Sequence, residues 1–319
     1  MNKKVCVVGG GYWGKNHIKT LQALGVLNGI VESDINLRIA LSKQFPNVKC
    51  YENVSLALKG DHNGFTIATP AETHFEIAKE VISARKHILI EKPMTLSIKE
   101  SEDLLFLADK YNINLMVGHV LLFHPAVRKI KELILNGLIG DLQYIYSNRL
   151  NLGKVRTEEN VFWSLAPHDI AIFQFLINSF PLKISSEGSS FLQKGIHDST
   201  MTSLEYENDV KGHIFVSWLH PFKEHRLVVI GSEAMISFED SIEGKPLKFY
   251  SKKFDLISGV PEKVDGPVEL IPYEQKMPLT EELKYFINHL GVEKPKIANG
   301  KHGLEVVKIL VKASEQLLS

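Results

Sequence analysis

Cysteine is nearly absent from this chain, with only Cys6 and Cys50 among 319 residues. Cys6 falls inside an apolar run and Cys50 follows a helical stretch, which argues against a disulfide framework and fits a reducing compartment. Cys6 reads as core filler rather than as a nucleophile. Charge of one sign is also missing, since 37 Lys and Arg balance 37 Asp and Glu. No net field then draws nucleic acid or an anionic membrane, and any anion must be bound locally. No apolar run nears the ~20 residues of a membrane span, and the opening residues lack the basic and apolar regions of a secretion signal. The expectation is a cytoplasmic protein with a small-molecule partner, without nucleic acid, membrane or metal. Internal repeats and low-complexity tracts are wanting as well. What remains is a chain with 44% hydrophobic residues, long enough for two domains.

The first fourteen residues organise the rest. Val5, Cys6, Val7 and Val8 form a short β-branched run that breaks into Gly9, Gly10, Gly11, Tyr12, Trp13 and Gly14, which reads as strand, turn and helix start. Gly9, Gly11 and Gly14 fall on the G-x-G-x-x-G spacing of a dinucleotide-binding turn, with a helix over roughly 15–24 offering its N-terminus to phosphates. Tyr12 and Trp13 are counted with that cofactor site. After a second strand over 26–31, Glu32 stands about 20 residues beyond the glycines, where a carboxylate grips ribose hydroxyls. Glu32 would repel a 2′-phosphate, so NAD is favoured over NADP, although Arg38 has the length to reach round. The plainer reading of Glu32 is a solvated charge at a strand end.

Strands and helices alternate up to about His119, which specifies a doubly wound parallel sheet. Thr69, Pro70 and His74 fall after the strand over 65–68, in a loop at a carboxyl strand end where such sheets bind ligands. His74 is either a neighbour of a helix cap or a residue lining the nicotinamide side. The strand over 87–90 exits through Glu91, Lys92 and Pro93, and the proline restricts the backbone of Lys92 and so fixes its side-chain direction at the sheet rim. From Leu142 onward the pattern changes to short alternating strands, predicting a mostly antiparallel open sheet. One helix is inserted at about 167–178, and 255–277 reads as an irregular loop. The domains are expected at 1–121, a Rossmann domain, and 122–319, an α+β domain for substrate binding and oligomerisation. The C-terminal helices are expected to pack back on the first domain.

Hydride transfer needs a group to take the hydroxyl proton and a group to steady the oxygen. Lys92 suits the second role. His168, after Pro167 at a predicted first helical turn, suits the first, because a helix N-terminus disfavours imidazolium. The alternative makes Lys92 a surface charge, and His168 and Asp169 ordinary first-turn polar residues. Arg149, Lys154 and Arg156 gather cations near the strand leading to His168, which suits a diphosphate or carboxylate or, equally, a solvated loop. Trp163 either stacks on a sugar or plugs an interface between domains.

The Gly9–Gly14 fingerprint, the Thr69–Pro70 loop ending in His74, Glu91-Lys92-Pro93, and His168 with Asp169 together resemble the glucose-fructose oxidoreductase and inositol dehydrogenase family over nearly the whole chain. The resemblance implies NAD, a Rossmann domain followed by an α+β domain whose open sheet builds a homodimer or homotetramer, and catalytic roles for Lys92 and His168. Polyol-oxidising members carry an aspartate four residues before that histidine, where this chain has Ser164. Arg149, Asn151, Leu152, Gly153, Arg156, the segment Trp163 to Ile170, and Ser217, Trp218, Pro221, Phe222 and Lys223 are more similar to the nucleotide-sugar 3-dehydrogenases. Those enzymes make a 3-keto UDP-sugar for an aminotransferase, and lipid A or surface polysaccharide synthesis is the setting this implies. The substrate contacts implied are Arg149, Arg156, Trp163, Ser164 and Asp169. The alternatives are a free sugar or inositol dehydrogenase and a non-catalytic dinucleotide-binding regulator.

Overall fold

The computed structural model describes residues 3–153 and 155–317. The chain begins with β1 (Val5–Val8), α1 (Tyr12–Ala23), β2 (Leu27–Val31), α2 (Ile35–Gln44), β3 (Lys49–Tyr51), α3 (Val54–Leu58), β4 (Gly64–Ile67), α4 (His74–Ser83), β5 (His87–Glu91), α5 (Ile98–Lys110) and β6 (Leu115–Gly118). The six strands form one parallel sheet in the order β3-β2-β1-β4-β5-β6. Parallel strands covered on both faces must be apolar throughout, and every residue of β1, β4 and β6 is buried. Local signals set the helix starts. Asp34, Asn53 and Ser97 each accept a backbone N–H from the residue three positions on, satisfying one of the free amides of a first turn. The chain reverses its direction of travel across the sheet between β1 and β4, so the loops after those strands flank the crevice where this architecture takes ligands.

The rest of the chain continues with α6 (Pro125–Leu135), β7 (Leu142–Leu150), α7 (Val161–Ile177), β8 (Lys183–Ser189), β9 (Ser199–Glu205), β10 (Lys211–Ser217), β11 (Glu224–Gly231), β12 (Met235–Glu239), β13 (Leu247–Tyr250), β14 (Lys253–Ile257), β15 (Val260–Val264), β16 (Val268–Leu270), α8 (Pro278–His289) and α9 (Gly300–Leu317). Eight strands pair in the order β16-β13-β12-β11-β7-β10-β9-β8, antiparallel except for β7 with β10. Helix α7 packs on β7, β9 and β10. Alternation puts Ile145, Ser147 and Arg149 of β7 on the buried face, while Tyr144 and, on β9, Met201 stay exposed. The sheet is therefore open on one side.

Two expectations fail here. The inserted helix begins at Val161, not near 167, because the Asn160 side chain caps it by accepting the Trp163 N–H at 3.1 Å. Pro167 lies inside the helix. An internal proline costs a helix about 3 kcal/mol, but α7 is buried over most of its surface and packing outweighs the lost hydrogen bond. The stretch 255–277 is irregular only in part: β14 and β15 form a hairpin closed by Ser258 and Gly259, both with positive φ, and β16 joins the large sheet, while 265–267 and 271–277 are in neither strand nor helix. Two consecutive left-handed residues match the right-handed strand twist.

Contacts divide the chain into two compact units: one runs through Phe123 and takes in Lys276–Lys308, and the other holds His124–Gln275 and the residues from Ile309 on. Helix α8 belongs to the first, where it packs against α1 and the turn Val120–Phe123.

Candidate active site

In the first unit the glycine loop is built by three different constraints. Gly9 has φ +95°, and a Cβ there would lie 2.8 Å from the Ala68 carbonyl oxygen. A Cβ on Gly14 would lie 1.9 Å from the Gly9 oxygen, so only glycine lets α1 start so close to the strand. Gly11 differs, since a Cβ there meets nothing within 4 Å. Its hydrogen faces open space, the approach a pyrophosphate needs. Gly11 is also the N-cap of α1, with no side-chain cap and no acidic residue in the first turn, so the amides and positive dipole end are uncompensated. These residues fit the dinucleotide. Gly11→Ala is expected to leave the melting temperature of the NAD-free protein unchanged and to weaken NAD binding about tenfold, since ~1.4 kcal/mol is a small loss for crowding a phosphate. Calorimetric titration beside a thermal melt checks both halves.

The Glu32 carboxylate reaches back to this loop, accepting the Gly10 N–H at 2.8 Å and the Asp34 N–H at 2.9 Å. A fixed negative charge there suits a ribose diol and opposes a 2′-phosphate. Arg38 is committed elsewhere, donating to the carbonyls of Glu32 at 2.6 Å and Ser33 at 3.0 Å. Tyr12 is exposed. The Trp13 ring meets the edge of His17, with centroids 6.3 Å apart.

His74 is a brace. It is buried, with Nδ1 2.9 Å from the Pro93 carbonyl oxygen and Nε2 3.0 Å from that of Thr69. The ring thereby ties the Thr69–Pro70 loop to the loop after β5. Burial lowers its pKa against the pull of the two carbonyls, and a neutral ring donates to one of them at a time. Glu91 is buried and accepts from His17 Nε2 at 2.8 Å, while the Lys92 N–H points to its other oxygen at 3.3 Å. As a carboxylate only accepts, that contact puts the His17 proton on Nε2. Lys92 itself leaves the carboxyl edge of the sheet, half-buried. His17 belongs to no sequence motif. The available signal was a histidine in the buried stripe of α1, together with Gly14, Ile18 and Leu21.

In the second unit α7 carries Trp163, Ser164, His168 and Asp169. His168 is half-buried in the middle of the helix, so the helix N-terminus expected beside it does not set its basicity. Ser164 lies one turn before it and is buried. Asp169 turns to β7 and takes two bonds from Arg149, from Nε at 2.7 Å and from Nη2 at 3.0 Å. Arg149 is buried too. Burial works against its charge, and the Asp169 carboxylate more than offsets that, holding the guanidinium protonated. Arg149 Nη1 also donates to His225 Nδ1 at 3.4 Å. Burial, then the charges of Arg149 and Lys223, push His225 down to about 3, so the ring is a neutral acceptor.

The expected cation cluster is thus largely spoken for. Arg156 pairs with Glu159 at 3.1 Å, and Lys154 lies outside the described residues. Trp163 donates its indole N–H to Ser314 Oγ at 2.8 Å. In the loop after β10, Trp218 is buried and Phe222 exposed, its ring against His220 at 4.5 Å between centroids. Among the described residues no His, Cys, Asp and Glu cluster has the makings of a metal site, and no helix is long and apolar enough to cross a membrane.

Comparison with known proteins extends this picture. The chain is 23% identical over 304 residues to the UDP-N-acetylglucosamine 3-dehydrogenase of Acidithiobacillus ferrooxidans, covering 94% of this chain and 93% of that protein. A crystal structure of that enzyme superposes with a TM-score of 0.88 at 21% identity, covering 100% of this chain and 98% of the other. The WlbA dehydrogenase of Bordetella pertussis, solved with NADH and UDP-GlcNAcA, gives 0.80 at 17% identity and covers 99% and 96%. At such identities the superpositions establish the fold. A model described as an oxidoreductase family with an NAD-binding Rossmann fold matches residues 3–119, and the GFO/IDH/MocA C-terminal domain matches residues 127–237. Together these matches span more than half of the sequence, and the chain belongs to the GFO/IDH/MocA family of NAD-binding oxidoreductases.

Proposed function

We propose that this protein oxidises the C3 hydroxyl of a UDP-N-acetylhexosamine, UDP-N-acetylglucosamine or its uronate, to the 3-keto sugar. The observation that carries this reading is the end-to-end likeness to a UDP-N-acetylglucosamine 3-dehydrogenase, and Lys92 and His168 are the residues to which we assign the chemistry. When bound, NAD supplies the acceptor for the hydride that leaves C3. Gly9, Gly11, Gly14 and Glu32 hold the dinucleotide, with Tyr12, Trp13, Thr69, Pro70, His74 and Glu91 around it. Lys92 donates to the C3 oxygen and stabilises the negative charge that develops there. His168 takes the hydroxyl proton. The C3–H and O–H bonds break, the carbonyl forms, and the proton stays on the imidazole until solvent removes it.

Within this substrate class we favour the neutral 6-hydroxymethyl sugar over the 6-carboxylate. Arg149 and Arg156 each already carry a carboxylate partner, and a substrate carboxylate would have to compete with Asp169 inside a bidentate pair. The open face of the eight-stranded sheet, with Tyr144 and Met201 exposed, supports association into a homodimer or homotetramer. A cytoplasmic enzyme supplying a 3-aminotransferase in lipid A or surface polysaccharide synthesis completes the proposal.

The test is NADH absorbance with UDP-N-acetylglucosamine, its uronate, free N-acetylglucosamine, xylose and myo-inositol, with a carbonyl trap to pull the equilibrium. The expected result is NADH with the hydroxymethyl UDP-sugar at least tenfold faster than with its uronate. NADH only with a free sugar or inositol would overturn the nucleotide-sugar reading. NAD binding without turnover on any of the five would point to a regulator.

A further inference from the structure

The unit that carries the glycine loop also contains an interior polar cluster that hydride transfer, as described, leaves unused. Helix α8 lies over the sheet with its far end at the start of β4, where a Cβ on Gly64 would come within 2.6 Å of Leu290 and 3.0 Å of Phe286. Glu282 precedes Phe286 by about one helical turn, toward the carboxyl ends of the strands, the end at which Glu91 closes β5. Glu282 is wholly buried, and neither carboxyl oxygen has a hydrogen-bond partner among the described residues.

Glu91 acts on Glu282 through its negative charge. His17, on the helix that packs against α8, is engaged to Glu91. His119, just beyond β6, is buried, with neither ring nitrogen hydrogen-bonded among the described residues; it meets His302 of α9 edge-on at 5.3 Å and feels the charge of Lys92. Burial first, then the charges of His302 and Lys92, hold His119 well below the ordinary range. Gly118 makes the arrangement possible. It sits opposite Glu91 in the β5–β6 register, and a Cβ there would fall 2.8 Å from the Glu91 carboxyl.

A carboxylate ion without donors cannot be sustained in such a place, so the group keeps its proton. Burial, then the charge of Glu91, push the Glu282 carboxyl well above the usual range. We propose that Glu91 and Glu282 form a one-proton carboxyl pair behind Lys92: Glu282 holds the proton, Glu91 bears the single negative charge, and that charge keeps the Lys92 amine protonated. Both are positioning residues that act through Lys92, and their use in catalysis rests on the role proposed for that lysine.

Two measurements on the full chain test this without any substrate. Unfolded, Glu282 ionises near the ordinary value of about 4.3, whereas the folded state retains the proton. The stability this group contributes is therefore complete below that pH and falls as pH rises. Relative to Glu282→Gln, the unfolding constant of the unaltered protein should grow by up to about tenfold per pH unit between pH 5 and 8 in urea titrations. A constant separation of the two curves overturns the pair. In the second measurement, acylation of Lys92 at pH 8 is followed by mass spectrometry. Glu91→Gln should react about tenfold faster, having lost the counter-charge, and Glu282→Gln at the unaltered rate. An unchanged rate in Glu91→Gln, or a raised one in Glu282→Gln, overturns the assignment. Should Glu91→Gln not fold, infrared spectroscopy decides instead: a protonated-acid carbonyl band at pH 7, lost in Glu282→Gln, supports the pair and its absence sinks it. Failure of the UDP-sugar assay would leave all these readouts intact and would strike only the substrate reading.

Discussion

Replacing Lys92 with Met is expected to lower kcat by about 10²–10⁴, or ~3–5 kcal/mol of transition-state stabilisation, the scale for a group that steadies charge on a reacting oxygen. NAD affinity should stay within about twofold, because a ΔΔG under ~0.4 kcal/mol is what remains when no phosphate or ribose contact is lost. Methionine keeps the stem that packs at the rim and deletes only the charge, so a fall in turnover cannot be assigned to a cavity. The contrast with Gly11→Ala matters. That change should move NAD affinity and spare the chemistry at saturation, whereas Lys92→Met should do the reverse. Stopped-flow hydride transfer at saturating NAD, with NAD affinity from fluorescence quenching, separates the two. Full turnover in Lys92→Met would remove this side chain from the reaction and leave the role of the Glu91 charge without a target.

The part of the site that was readable from sequence is the part fixed by short-range sterics. A β-branched run breaking into Gly9, Gly11 and Gly14 has one economical backbone solution, and the 1.9 Å approach at Gly14 shows why. Glu32 was legible for the same reason, since one helix and one strand set its distance from the turn. The sheet followed from alternation. What escaped was decided by tertiary contact. Pro167 looked like a helix start because proline favours a first turn, yet the buried surface of α7 carries the helix back to Asn160. The Ser258-Gly259 hairpin was hidden because the flanking segments are exposed and mixed in charge, so no strand periodicity announced them. Arg149 and Asp169, 20 positions apart, carry no local mark of pairing. Nor does Glu282, whose burial is set by the packing of α8 and not by its neighbours in sequence.

The Arg149–Asp169 pair should be the costliest contact to break in the second unit. Both groups are out of water, and two parallel bonds at 2.7 and 3.0 Å satisfy them mutually. Removing one partner strands the other charge, so Arg149→Met and Asp169→Leu should each destabilise by about 3–5 kcal/mol, a large share of a typical folding free energy of ~5–15 kcal/mol. The double variant Arg149→Met/Asp169→Leu should lose far less than the sum, because the desolvation penalty disappears together with the attraction. Urea unfolding of the four proteins gives the coupling directly, and additive losses would refute a buried, mutually dependent pair. His225 supplies a second readout. Its imidazolium is suppressed partly by the Arg149 charge, so Arg149→Met should raise its titration midpoint in an NMR pH series, while a ring governed by burial alone would not respond. On the role proposed for His168, the pair also bears on turnover, because Asp169 follows His168 on α7 and its bond to β7 fixes that stretch of helix on the sheet. The double variant, folded but unanchored, should therefore bind NAD normally and turn over more slowly, which distinguishes an anchor for His168 from a contact that serves stability alone.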